Sequence, residues 1–178
     1  RAGPTLFEAI TTFDGQNFNL ADAENPERIQ GARVTRDFAA VLGIQPLVGR
    51  FFNEQEDVPK GPHVVVLSER LWRERYHADQ NIAGQQIRLD GAAWTIVGVL
   101  PDRAQFPDRP ALWVPYQGDP NQPYESYTGD AIARIKPGTS VAQAEADLLH
   151  AHAAPRAPRG SGTPIKNSRF SATGDGIS

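Results

Sequence analysis

The side chains in this sequence that carry reactive chemistry are few and poorly grouped. There is no Cys, which removes thiol nucleophiles and thiolate metal ligands. His63 follows Gly61-Pro62 with no Ser or carboxylate at a spacing that would make it a general base. His150 and His152 are two apart on a predicted helix, so they point to different faces and make a poor metal pair. Ser68 follows a predicted strand, but its neighbours Leu67 and Glu69 are not the glycines that let a nucleophile elbow turn sharply, so it reads as a helix N-cap. Asn53, Glu54, Glu56 and Asp57 lack the spacing and central Gly of a Ca²⁺ loop and read as a solvated turn. No phosphate-cradling glycine run is present, and no carboxylate pair is placed for glycoside hydrolysis. No catalytic, cofactor-binding or metal-ligating residue is therefore assigned. The expectation is a protein that is not an enzyme and needs no cofactor.

Two groups of side chains point instead to binding. Trp72, Trp94 and Trp113, with Tyr76 and Phe106, are read first as an aromatic core, while the alternative is a sugar-stacking platform in a secreted carbohydrate- or ligand-binding module. Arg70, Arg73 and Arg75 on one helix, with Phe106 and Arg109 in a loop, are candidates for a partner interface. A formal net charge of -3 and mixed signs along the chain offer no basic stripe for phosphates, so nucleic acid is excluded as a partner.

The elements that must position these residues are marked by proline. Gly and Pro make up 31 of 178 residues, yet none of the prolines lies between Pro62 and Pro101. Within that stretch Val64 to Leu67 predicts a strand feeding a helix capped by Ser68, with Leu71, Trp72 and Tyr76 at helical spacing. Ile87 and Leu89, the Asp90-Gly91 turn and the run from Trp94 to Leu100 predict a β-hairpin. Gly98 inside its second strand marks a bulge or a close backbone approach. Residues 31–38 predict a strand entering a short helix that ends at Leu42, and 111–116 a Pro-bounded strand, both edge-like or linking. Residues 131–136 predict a strand, followed by a Pro137-Gly138 turn and a helix to about Ala154. Thr139 or Ser140 caps that helix, which packs Val141, Ala144, Leu148 and Ala151 on one face. Leu6, Phe7, Ala9 and Ile10 suggest a helical turn, and the Gly/Pro/Ser/Thr-rich tail from Ala154 at most one weak strand.

Several of these blocks, in order, resemble the MacB-like periplasmic core domain of MacB/FtsX-type ABC transporter permeases. They are residues 33–52, 64–76, 82–101, 112–116 and 133–148, with the strings LGIQPLVGR, LSERLW, TIVGVLP and RIKPGTS. The sequence departs from the pattern at Ala39, where such domains carry a second aromatic, and in the tail. The resemblance implies an α+β fold with a mixed sheet and packed helices. It also implies two lobes, one formed by 1–62 and 102–178 and the other an inserted small β-rich lobe at 63–101 containing one helix. By the same resemblance the domain is extracytoplasmic, on the periplasmic side of the bacterial inner membrane, and belongs to a dimeric parent, though the isolated domain is expected to be monomeric. Its partners would be the permease's membrane helices, a cytoplasmic ATPase domain or subunit and a periplasmic adaptor. Its role would be to couple the ATPase cycle to export through motion and docking. The absence of Met, with Arg1 at the start, fits a domain lying between two membrane helices.

Overall fold

The computed structural model describes residues 6–21, 25–104, 106, 108–119, 129–153 and 171–172, with 148–153 and 171–172 as backbone only. The elements in chain order are β1 Phe7–Ala21, β2 Pro26–Val34, α1 Phe38–Leu42, β3 Val48–Gly49, β4 Val64–Ser68 and α2 Glu69–Tyr76. They continue as β5 Gln86–Leu89, β6 Ala92–Leu100, β7 Leu112–Pro115, β8 Asp130–Ile135, α3 Val141–Ala153 and β9 Ser171–Ala172. The fold is α+β, with one mixed sheet and few helices.

Six of the strands pair in a circuit that closes on itself. β1 pairs β2, β2 pairs β7 in parallel, β7 pairs β4, β4 pairs β6 in parallel, β6 pairs β5, and β5 returns to β1. The closing seam is short, running through Leu20 opposite Leu89 and Ala21 opposite Arg88. Asp90 reinforces it, because its Oδ1 accepts from Asn19 N at 2.8 Å and from Asn19 Nδ2 at 3.1 Å. Closure removes sheet edges that would otherwise present unpaired backbone groups.

The two faces of this circuit bury different residues. One cluster holds Phe18, Leu20, Ile29, Val65, Leu67, Ile87, Ile96 and Leu112, capped by Leu71 and Trp72 of α2. The other holds Phe13, Val34, Val64, Val66, Leu100 and Trp113, covered by Phe38 and Val41 of α1 together with Ile44 and Phe52. β4 therefore has no solvent face, and all five of its residues are buried. Glycines permit close approaches between neighbouring segments. A Cβ on Gly31 would lie 2.7 Å from the Phe18 ring, and one on Gly98 would lie 2.1 Å from the Arg50 carbonyl oxygen.

The strand β4, the Ser68 cap, the hairpin and its Asp90-Gly91 turn form as the sequence predicts. Ser68 Oγ accepts from Leu71 N at 3.2 Å, and the turn residues take φ of 49° and 82°. Gly98 marks a register shift in the β4–β6 ladder as well as the close approach. Ser140 caps α3 through a reciprocal pair: its Oγ accepts from Gln143 N, while its N donates to Gln143 Oε1.

Three expectations are corrected. Leu6 to Ile10 makes no helical turn, because Phe7 begins the 15-residue strand β1, whose Phe and Thr residues suit a pleated surface. β7 and β2 are not edge-like, since β7 lies between β2 and β4, and β2 lies between β1 and β7. Val141 is 48% exposed, so the buried face of α3 runs through Ala144 and not through Val141. Side chains of Leu148 and Ala151 lie outside the described residues.

Candidate partner-docking site

Ser68 ends β4 and begins α2, while Leu100 ends β6 and hands the chain to the loop 101–111. β4 and β6 are parallel neighbours, with α2 in the crossover between them. Beyond their carboxyl ends lies a cleft of about 410 Å³, lined by Ser68, Arg70, Asp102, Ala104, Arg109 and Trp113 among others.

The structure brings Arg70 and Arg109 together in this cleft, one from α2 and one from the loop. Arg70 reaches Glu74 only at 4.0 Å, with both side chains well exposed, an arrangement that adds little stability. Arg109 is exposed and follows Asp108, and both hold left-handed backbone, with φ of 54° and 48°. Phe106 borders the site without opening into it. Its carbonyl accepts from Trp113 Nε1 at 3.2 Å, and its ring meets Phe13 edge-on at 4.7 Å. Arg73 pairs with Glu69 at 2.7 Å and lies over the Trp72 ring. Arg75 turns elsewhere, to Glu27 Oε2 at 2.8 Å and the Asn25 carbonyl at 3.1 Å. The three helix arginines therefore do not form one patch.

Glu69 ties the site together. Its Oε2 accepts from Asp102 N at 3.1 Å and its Oε1 from Arg73. The Asp102 N–H and then the Arg73 guanidinium hold its carboxyl below the usual carboxylate range. A second lowered carboxyl lies far along the chain, in the turn read as solvated. Glu56 is buried, and burial alone would raise its pKa. The Arg50 fork at 2.7 and 2.9 Å and the Asn53 N–H at 3.0 Å outweigh burial and keep it low. Asn53 Oδ1 accepts from Glu56 N in return. The signal for this was present as Asn-x-x-Glu, a capping-box spacing.

The tryptophans form no common platform. Trp72 and Trp113 are buried in different clusters, and Trp94 stacks at 4.4 Å against His63. Trp72 Nε1 donates to the Asp79 carbonyl, as Trp113 does to that of Phe106. Two of the three indoles therefore serve the core. Among the described residues, no three His, Cys, Asp or Glu side chains converge to hold a metal. His150 and His152 side chains are outside the described set.

The sequence matches the family described as MacB-like periplasmic core domain over residues 1–151. The chain belongs to this family. It is thus the extracytoplasmic domain of an ABC transporter permease of the MacB/FtsX type, and among the described residues no helix is long and apolar enough to cross a membrane. No curated protein matches the chain. Solved structures share the fold at low identity. The periplasmic region of MacB from Actinobacillus actinomycetemcomitans is 18% identical with a TM-score of 0.64, covering 84% of this chain and 67% of its own. A domain ascribed to a permease protein from Porphyromonas gingivalis is 17% identical with a TM-score of 0.59, covering 83% and 70%. The extracellular domain of the noncanonic ABC-type transporter YknZ from Gram-positive bacteria is 14% identical with a TM-score of 0.51, covering 62% and 56%. This MacB-like core domain thus spans little more than half the YknZ domain.

Proposed function

We propose that this MacB-like core domain is a non-catalytic mechanical element, coupling a cytoplasmic ATPase cycle to export or to envelope partners by moving and docking. The parent would be a dimeric permease in the bacterial inner membrane, with a fused or separate ATPase and a periplasmic adaptor as partners. The observation that carries this reading is where the perturbed carboxyls sit. Glu56 and Glu69 are held by arginines and by backbone N–H groups that brace turns. Catalytic acids and bases are tuned toward a reacting group, whereas these are tuned toward structure.

In this reading the 63–101 segment acts as a lobe joined to the rest by the β4–β7, β5–β1 and β3–β6 pairings. Force passed on by the membrane helices would travel through these ladders rather than through a flexible linker. Docking is assigned to the cleft face, with Arg70 and Arg109 as contacts and Arg73 and Phe106 as supports. Arg75 would act from a neighbouring face.

The test is made in the full-length permease. Arg70→Ala with Arg109→Ala should leave basal ATP hydrolysis intact while lowering transport and adaptor pull-down together. Unchanged transport and pull-down would remove the docking proposal. Phe106→Ala is a poor probe, because losing the Phe13 contact would also loosen the core.

A further inference from the structure

We infer that Asp90-Gly91 is a site of spontaneous covalent modification, the isomerisation of Asp90 to isoaspartate, and that Asn19 guards it. The reaction needs only the chain and water. The Gly91 backbone nitrogen bonds to Asp90 Cγ, and the carboxyl hydroxyl leaves with the amide proton as water, closing a five-membered succinimide. A water molecule then opens that ring. Breaking the nitrogen's bond to Cγ restores Asp90. Breaking its bond to the Asp90 carbonyl carbon leaves the chain running through Cγ, one methylene longer, with that carbonyl carbon now a free carboxylate. Nothing is oxidised or reduced, and the water lost on closure is regained on opening.

The sequence holds Asp-Gly at 14–15, 90–91 and 175–176, the last outside the described residues, and the structure separates the other two. Asp14 and Gly15 lie within the β1–β2 ladder, opposite Arg33 and Ala32, and Asp14 Oδ2 accepts from Arg33 Nη2 at 2.9 Å. Closing a ring there means breaking that ladder. Asp90 and Gly91 instead form the exposed two-residue turn between β5 and β6. Both hold left-handed backbone, and a Cβ on Gly91 would meet nothing within 4 Å, so the attacking nitrogen is uncrowded.

The seam holds the reaction back. Asp90 Oδ1 accepts from Asn19 N and Nδ2, and Asp90 N donates to the Asn19 carbonyl at 3.0 Å. The carboxyl must leave those donors on β1 before it can turn toward Gly91, so ring closure passes through a local opening of the β1–β5 seam. The product cannot close the seam in the same way. Its turn is a methylene longer, and its carboxylate sits directly on Cα instead of one carbon out, short of the Asn19 donors.

The test is incubation of the 178-residue chain at neutral pH, followed by peptide mapping with fragmentation that tells isoaspartate from aspartate. Isoaspartate should build up at residue 90 about tenfold or more faster than at residue 14, whose ladder must open first. It should build up more slowly than in a free peptide spanning 86–95, which has no Asn19. Asn19→Ala removes one of the two donors to Asp90 Oδ1 and should speed the reaction at residue 90 by about threefold or more. Asn17→Ala, two residues away on the same exposed strand face, should leave the rate as it is and so controls for a general loosening of β1. Isoaspartate forming at residue 90 no faster than at residue 14 would overturn the site. The guard would be overturned by a folded chain that reacts as fast as the peptide, or by Asn19→Ala behaving as the parent or as Asn17→Ala does.

Discussion

Glu56 shows how much of this molecule's charge is architectural. It joins Arg50 through both oxygens and closes the Asn53 turn, while the adjacent Asp57 accepts from Arg36 N and Gln117 N, both at 2.9 Å. One short acidic turn thus holds three distant segments together. Glu56→Gln should lower stability at neutral pH by about 1–3 kcal/mol, read by urea unfolding, because the buried acceptor of the Arg50 fork becomes weaker. The pH dependence has a definite sign. Glu56 and Glu69 are both depressed in the fold, so their stabilisation is complete above the unfolded carboxyl pKa and disappears as pH falls through the lower folded values. Unfolding midpoints of the parent should drop on acidification below about pH 4, and the Glu56→Gln variant should converge on the parent there. A variant that stays equally destabilised in acid would show that packing, not charge, is at work. The residue types were legible here but the partners were not. Asn53 and Glu56 stood at capping-box spacing, yet only the fold says that Glu56 points inward.

At the scale of elements, the most readable features are those set by neighbours in sequence. Ser68 caps α2, Ser140 and Gln143 cap α3, and Asp90-Gly91 turns the hairpin, because each needs only residues a few positions away. Ser68→Ala should cost about 1 kcal/mol, seen as a thermal shift, through loss of the bond to Leu71 N. Gly98→Ala should cost more, about 2–3 kcal/mol, because its Cβ would meet the Arg50 backbone, which cannot swing aside as a flexible side chain can. If Gly98→Ala proved neutral, the β3–β6 contact would have to be looser than described. β1 was the least readable element. Its buried residues fall at Thr11 and Phe13, then at Phe18 and Leu20, so the alternation changes parity across Asp14 to Asn17. The strand buries one face in its first half and the other in its second, which no local period reveals.

For the whole molecule, closure of the strand circuit governs how it should open. The β1–β5 and β4–β7 pairings have two residue pairs each, but β4 and β7 are buried along their whole length, whereas Ala21 and Arg88 of the seam reach the surface. Native-state hydrogen exchange should therefore find the amides of β4 and β7 slowest, near the global limit. Those of Leu20 to Ala21 and Arg88 to Leu89 should exchange first among the paired strands of the circuit. Uniform protection around the circuit would mean that the seam is no weaker than the rest.

The sequence by itself determined the local pieces, the absence of thiol chemistry and, through its ordered blocks, membership in the MacB-like family. Caps, tight turns and β-branched runs act over a few residues, so their physics is written in adjacent positions. Only the tertiary structure decided that β2 and β7 are interior, that β1 changes faces, and that Arg70 and Arg109 line one cleft while Arg75 turns away. Those outcomes depend on pairings between residues tens of positions apart, where burial and register, not local preference, choose the partner.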